Sequence, residues 1–137
     1  MKRQQILLSI LIANLISTGL HYTENAIFVS QYPGPDWFTT SGIFATVALM
    51  TPVGLLGYWL YTKGQHFWSD LVLCIYSLTS ISSPGHYLYP GAMSMSAKMH
   101  SLIWLDAIAG YSLLIFVFWS AAIWKEWQLK DSQNRSE

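Results

Sequence analysis

The sequence predicts an all-α, polytopic membrane protein built as an antiparallel bundle of four transmembrane helices. Of its 137 residues, 53% are hydrophobic and only 10% are charged, whereas soluble domains carry about a quarter charged residues. Four stretches with at most one charge each approach the length of about twenty apolar residues that a spanning helix needs. They are too long and continuous to be the alternating strands of a membrane barrel.

The four predicted spans follow one another within a single membrane domain. They cover residues of about 5–28, 39–62, 68–89 and 99–125, and a polar tail occupies 126–137. The connectors QYPGPDWFTT, KGQHFWSD and GAMSMSAKM are short and contain turn-forming residues. Short connectors place consecutive helices side by side in opposite directions.

The basic residues predict the orientation of these spans. Only Lys98 falls on one side, while the others fall on the opposite side: Lys2, Arg3, Lys63, Lys125, Lys130 and Arg135. Because cytoplasmic loops are enriched in Lys and Arg, we expect both the N- and the C-terminus to be cytoplasmic.

Charge and cysteine content exclude some functions. Seven Lys and Arg balance seven Asp and Glu, so no excess positive charge would attract a nucleic-acid backbone. Cys74 is the only cysteine, and no intramolecular disulfide is therefore possible.

Polar side chains form a stripe along the first span. They recur at spacings of three, four and seven residues, which places them on one helical face: Asn14, Ser17, Thr18, His21, Glu24 and Asn25. Polar groups facing lipid are costly, so this face should point into the protein, and its ionisable members are functional candidates. Asn14, Ser17 and Thr18 are better explained as hydrogen-bonding contacts between helices.

The polar residues of the other spans converge on the same end. The third span carries Thr79, Ser82 or Ser83 and His86 around the Pro84-Gly85 break. The topology gathers several side chains at the non-cytoplasmic end: His21, Glu24, Asn25, Asp36, His86, Tyr87, Tyr89 and His100. Asp106 lies about two turns deeper and must be protonated, hydrogen-bonded or paired, although not directly with His100, which lies on another face.

This convergence predicts a pocket for an apolar, sterol-like or terpenoid molecule near the non-cytoplasmic surface. Aromatic residues around a few polar groups are typical of small-molecule sites. If the protein is an enzyme, such as an isomerase, Glu24 or Asp106 would move a proton with His21 or His86 as its partner. The remaining candidates for ligand contact are Asn25, Tyr87, Trp104 and Tyr111.

A segment of 34 residues resembles a known family. From Phe44 to Ser77 the chain reads FATVALMTPVGLLGYWLYTKGQHFWSDLVLCIYS, with Phe44, Pro52, Lys63-Gly64, Trp68 and Ile75-Tyr76-Ser77 carrying the pattern. It resembles the second and third spans of the EXPERA family, which includes the emopamil-binding protein and the sigma-2 receptor.

The resemblance implies a lipid-accessible pocket in four helices with cytoplasmic termini. In that family, acidic and aromatic residues hold a cationic amphiphile or a carbocation. Thr46 stands where the second-span carboxylate is expected, and Glu24 matches the first-span carboxylate only loosely. Family-type catalysis is therefore less expected than ligand binding.

Two alternatives remain open at this point. His21, His86 and His100, from three helices, could bind a metal ion or haem, although no motif of fixed ligand spacing supports this. The chain could instead be a small accessory subunit of a larger membrane complex, or form a homodimer. The pocket hypothesis itself needs no cofactor and has a lipid or apolar small molecule as its partner.

Overall fold

The computed structural model describes residues 2–126, and every regular element among them is helical. The four α-helices are α1 (Arg3–Ile27), α2 (Thr40–Thr62), α3 (His66–Ile81) and α4 (Ala97–Phe118). Short 3-10 helices follow α1 and α3, at Val29–Gln31, Ser83–Leu88 and Ala92–Ser94, and a π-helical turn, Trp119–Trp124, extends α4. The predicted tail lies outside the described residues except for Glu126.

Three helices are long and apolar enough to cross a membrane: α1, α2 and the continuous stretch Ala97–Trp124. The all-α class and the membrane-type helices of the prediction are thereby confirmed. The third helix is shorter than the predicted span of 68–89, because α3 ends at Ile81. Pro84 has no N–H to donate, so the α-helical hydrogen-bond pattern cannot continue through it, and the chain continues as a 3-10 helix in which Pro84 stands in the first turn.

Consecutive helices run in opposite directions, and α4 packs against α1. At one end, Gln4 donates a hydrogen bond to Tyr58 and Ser69 donates to the Gly57 carbonyl, joining α1 to α2 and α2 to α3. At the other end, Thr40 donates to the Ala26 carbonyl. The beginning of α1 therefore lies beside the end of α2, as expected from short connectors.

The interior is divided into two apolar clusters with a polar layer between them. The larger cluster lies toward Arg3 and Glu126 and includes Leu7, Leu11, Tyr61, Leu73, Tyr76, Leu113, Phe116 and Val117. The smaller cluster lies at the opposite end and consists of Tyr32, Ala92, Met95, Met99 and Ile103. Between them are buried polar side chains, namely Asn14, Thr18, Ser80, Ser83 and Asp106.

Glycines allow the helices to approach closely. A Cβ atom at Gly110 of α4 would lie 2.7 Å from the Ser80 Cβ of α3, and one at Gly57 of α2 would lie 2.6 Å from the Leu73 side chain. Small residues at such contacts are typical of helices that pack in a membrane.

The two ends of the described chain meet. After the π-helical turn, Lys125 adopts a left-handed conformation with φ of 51°, which turns the chain back toward α1. There, Arg3 Nη1 lies 2.7 Å from Glu126 Oε1, and the Arg3 guanidinium stacks over Trp124.

A candidate ligand cleft

A cleft of about 400 Å³ opens at the end of the helices opposite Arg3 and Glu126. The end of α1, the beginning of α2 and the 3-10 helix after α3 form it together with the loop before α2. Most of its lining is apolar or aromatic, and the residues are His21, Tyr22, Asn25, Gly34, Pro35, Trp37, Phe38, Thr39, Gly42, Ile43, Thr46, Ser82, Ser83, Gly85, His86, Leu88 and Tyr89. Its size falls within the range of small-molecule sites, which is about 300 to 1,000 Å³.

The hydrogen bonds of His86 fix the orientation of the Asn25 amide. His86 Nδ1 lies 2.6 Å from the Pro33 carbonyl oxygen, which can only accept, so Nδ1 carries the hydrogen. In a neutral imidazole the other nitrogen is then an acceptor, and it lies 3.0 Å from Asn25 Nδ2. Asn25 therefore donates to His86 and keeps its carbonyl oxygen, Oδ1, without a partner.

His21 is the second buried polar group of the cleft with an unused hydrogen-bonding atom. Its side chain is only 1% exposed and its Nδ1 has no partner. The ring lies edge-on to Tyr22, Tyr32 and His86, with centroids 5.4 to 5.8 Å away. Buried polar atoms without partners are uncommon in folded proteins, and these two lie beneath the surface of the cleft.

Asp106 lies beneath the cleft and is fully buried. Its Oδ2 accepts a hydrogen bond of 2.6 Å from Ser83, which borders the cleft, and its Oδ1 accepts bonds from Thr18 and Ser17 at 2.7 and 3.3 Å. The expectation that Asp106 is hydrogen-bonded and does not contact His100 agrees with this arrangement.

Glu24 is buried but turns away from the cleft. Its Oε1 lies 2.7 Å from Lys98 Nζ, and its Oε2 accepts a hydrogen bond of 3.3 Å from Tyr32. Burial and the nearby Glu24 carboxylate raise the pKa of Tyr32, so its phenol stays a neutral donor. A proton-transfer role for Glu24, His21 and Asp106 stays a prediction.

Three residues predicted to contact ligand lie outside the lining of this cleft. Tyr87 donates to or accepts from His100 Nδ1 at 2.7 Å and stacks on that ring, with Trp104 beside it. Tyr111 lies two turns farther along α4, on its exposed surface. Tyr87 and Trp104 lie at the same end of the helices as the cleft, as the sequence predicts. Their side chains pack together with His100 and do not border the cleft, and this could be learned only from the side-chain contacts.

The histidines divide into two groups. The ring centroids of His21 and His86 lie 5.7 Å apart, while His100, which is on α4, packs against Tyr87. Within residues 2–126, no three His, Cys, Asp or Glu side chains are grouped so that they could hold a metal ion. Metal or haem binding by these histidines stays a prediction.

The loop side of the outer wall of the cleft was not predicted from the sequence. Pro35, Trp37, Phe38 and Ile43 come from the loop and from the first turn of α2. The only sequence feature that indicated this wall is the aromatic pair beside the Pro-Gly-Pro segment. Such a pair is equally typical of a membrane anchor.

A second buried polar cluster, around Glu126 at the opposite end of the helices, was also not predicted. Glu126 accepts hydrogen bonds from Tyr61 and Ser120 at 2.9 Å each, and Ser120 is also 3.3 Å from Asp70. Burial opposes ionisation of Glu126, but hydrogen bonds from Arg3, Tyr61 and Ser120 outweigh it and lower its pKa.

Comparison with known proteins gives no relative for this chain. No family model matches the sequence, and neither the curated proteins nor the solved structures contain a significant match. The EXPERA resemblance of residues 44–77 stays a hypothesis.

Proposed function

We propose that this protein is a four-span membrane protein that binds an apolar amphiphile in the cleft. The observation that carries the proposal is the cleft itself, in which apolar and aromatic walls surround a few polar side chains, among them His21 and Asn25. The chain of a bound lipid, terpenoid or sterol-like molecule would contact the aromatic walls, and its polar end would lie toward these polar side chains.

The walls of the cleft support an apolar ligand. Phe38 packs edge-on to His86 with ring centroids 6.3 Å apart, and Trp37 packs on Phe38. Trp37 and Leu88 at the rim are 77% and 86% exposed. Large apolar side chains exposed around a cleft are well suited to contact either lipid or an apolar ligand.

Helix lengths support four spans rather than three. At 1.5 Å per residue, the 16 residues of α3 extend about 24 Å, less than the hydrocarbon core of about 30 Å. The 3-10 helix Ser83–Leu88 adds about 12 Å at about 2 Å per residue. Together they are long enough to cross, and they would place the cleft near the surface of the bilayer.

The charge distribution supports cytoplasmic termini. Lys2, Arg3, Lys63 and Lys125 lie at the end of the helices that carries the chain termini, and Lys98 lies at the end that carries the cleft. By the positive-inside rule, the cleft would open toward the non-cytoplasmic side.

Native mass spectrometry of gently solubilised protein tests the proposal, with Gly85→Leu as the variant that fills the cleft. Gly85 lines the cleft, and a Cβ atom there meets nothing within 4 Å. Gly19→Leu is the matched control, because its Cβ also meets nothing within 4 Å but Gly19 does not border the cleft.

We expect wild-type protein and Gly19→Leu to retain a neutral amphiphile that Gly85→Leu loses. Retention by all three proteins would contradict the proposal. Metal analysis and an absorption spectrum of the same sample test the alternative, since stoichiometric metal or haem would favour histidine ligation instead.

A further inference from the structure

We infer that Asp70 carries a proton that it donates to Ser120, and that loss of this proton releases the chain around Glu126 from the helices. The inference concerns the end of the helices opposite the cleft and does not depend on the proposed function. It derives from three side chains that contact one another in series there, Asp70 of α3, Ser120 of the π-helical turn and Glu126 after that turn. Together they form a latch that responds to pH.

The hydroxyl of Ser120 lies between two carboxyl groups but has only one hydrogen. Its Oγ is 2.9 Å from Glu126 Oε2 and 3.3 Å from Asp70 Oδ2. A serine hydroxyl donates one hydrogen bond, and its lone pairs can accept others. If both carboxyl groups were ionised, one of these two contacts would join two acceptors with no hydrogen between them. Both contacts are hydrogen bonds only if one carboxyl group holds a proton and donates it to Ser120.

The surroundings of the two carboxyl groups place this proton on Asp70. Glu126 accepts hydrogen bonds from Arg3 Nη1 at 2.7 Å and from Tyr61 at 2.9 Å, so a cation and a second donor compensate its ionised form. Asp70 is only 7% exposed, and its other oxygen, Oδ1, has no hydrogen-bond donor. A buried carboxylate without a cation is costly, whereas a protonated Asp70 is uncharged and donates its hydrogen to Ser120.

The charged and titratable groups of the neighbouring helices agree with this assignment. Arg3 of α1 and Tyr61 of α2 both bond to Glu126. His66 stands one turn before Asp70 on α3, and its ring packs edge-on to Tyr61 with the centroids 4.8 Å apart. The ion pair at this end joins Arg3 to Glu126, and within the described chain no ion pair includes Asp70.

Loss of the Asp70 proton places two anions on one hydroxyl group. The single hydrogen of Ser120 then serves only one of them, and the like charges repel each other in a site shielded from water. Glu126 is the group that leaves, because it lies beyond the end of the helix at Lys125, whereas Asp70 lies within α3. Its departure breaks the hydrogen bonds to α1, to α2 and to Ser120 together.

Infrared spectroscopy of the purified protein in detergent tests where the proton is held. The measurement is made at about pH 6, roughly two units above the ordinary pKa of an aspartate side chain. We expect a carbonyl-stretch band of a protonated carboxyl group that is lost in Asp70→Asn. Asp36→Asn is the matched control, because Asp36 is exposed in the loop before α2, and it should keep the band. A spectrum that Asp70→Asn leaves unchanged would overturn the inference.

Trypsin cleavage after Lys125 tests the latch. Glu126 is only 4% exposed, so the bond between Lys125 and Glu126 is protected while the latch is closed. The closed latch binds one more proton than the open one, so a rise in pH favours opening. Asp70→Asn is the comparison, because its amide can donate to Ser120 at any pH. Mass spectrometry identifies the product that ends at Lys125.

We expect wild-type protein and Asp70→Asn to be cleaved at equal rates at about pH 6. At about pH 9 wild-type protein should be cleaved about tenfold faster, which corresponds to the loss of one hydrogen bond to a buried charged group. Equal rates at both pH values would overturn the inference.

A second comparison keeps the test valid if Asp70→Asn does not fold. Wild-type protein is then compared with a free peptide that contains the same Lys-Glu bond, which corrects for the pH dependence of trypsin itself. The ratio of the protein's cleavage rate to the peptide's should rise from the lower to the higher pH. A constant ratio would overturn the inference.

Discussion

At the scale of single residues, the buried carboxyl of Asp106 is held by hydroxyl groups rather than by a cation. Ser83, Thr18 and Ser17 converge on its two oxygens. These donors satisfy oxygen atoms that the surrounding protein and lipid would not solvate. Asp106 therefore ties α1 and α4 to the 3-10 helix that borders the cleft.

Asp106→Leu should destabilise the protein more than Asp106→Asn. Leucine leaves the hydroxyl donors without an acceptor, at a cost of at least about 2 kcal/mol, while asparagine keeps one acceptor and offers a donor to Ser83. Thermal unfolding followed by tryptophan fluorescence measures the difference. Equal midpoints for the two variants would show that these hydrogen bonds contribute nothing measurable.

The pair formed by Arg3 and Glu126 predicts a loss of stability in acid. The folded protein lowers the pKa of Glu126 from its ordinary value of 4.5, so its contribution is present above about pH 4.5 and is lost as the pH falls through the folded pKa. The thermal midpoint of the wild-type protein should fall in that range more steeply than that of Glu126→Gln. Parallel profiles would contradict this assignment.

Residue types predicted the buried face of α1 well. Asn14, Thr18, His21, Glu24 and Asn25 are all buried, because a polar stripe with helical spacing has one favourable direction in an apolar protein. The partners of each residue could not be predicted. The Lys98 contact to Glu24 and the Pro33 contact to His86 join residues 74 and 53 positions apart, and sequence spacing holds no information on such pairs.

At the scale of elements, the close contact of α3 and α4 depends on Gly110. A Cβ there would lie 2.7 Å from Ser80 Cβ and 3.0 Å from the Ile81 backbone nitrogen, so one helix must move. The same contact places Ser80 and the adjoining residues toward Asp106. The distance between α3 and α4 therefore affects the buried polar layer.

Gly110→Ala should lower the thermal midpoint despite the higher helix propensity of alanine. Overpacking of this kind typically costs about 1 to 3 kcal/mol, more than the roughly 1 kcal/mol that alanine contributes in a helix. Gly19→Ala, with open space at its Cβ, is the control and should be neutral or stabilising. A Gly110→Ala midpoint equal to that of the control would contradict the close packing.

Hydrophobicity and turn residues predicted the helices better than their ends. The predicted first and second spans, 5–28 and 39–62, lie close to Arg3–Ile27 and Thr40–Thr62. The predicted third span, 68–89, ends eight residues beyond α3, because the uncharged sequence continues past Ile81 while the backbone changes to a 3-10 helix at Ser83. The position of the aromatic loop before α2 over His86 could not be predicted, because it depends on tertiary packing.

At the scale of the whole molecule, the protein has two ends of different character. One end contains the first and last described residues, Glu126 and most of the basic residues. The other end contains the cleft and Lys98. The proposed orientation places these ends on opposite sides of a membrane, and this arrangement determines the side from which a ligand or partner would approach.

Cysteine labelling tests that orientation. In a Cys74→Ser background, Ser94→Cys and Gln65→Cys place single thiols at exposed sites on opposite ends of the helices. A membrane-impermeant maleimide applied to intact cells should label residue 94 directly and residue 65 only after permeabilisation. The reverse pattern would invert the proposed topology, and labelling of both sites in intact cells would argue against it.

The most direct test of the proposed cleft is an experimental structure of the protein purified gently from its own membrane. We expect elongated density along Phe38 and Leu88, with its polar end toward Asn25 and His21. A cleft closed by Phe38 and Leu88 over His86, without ligand density, would contradict the proposed function.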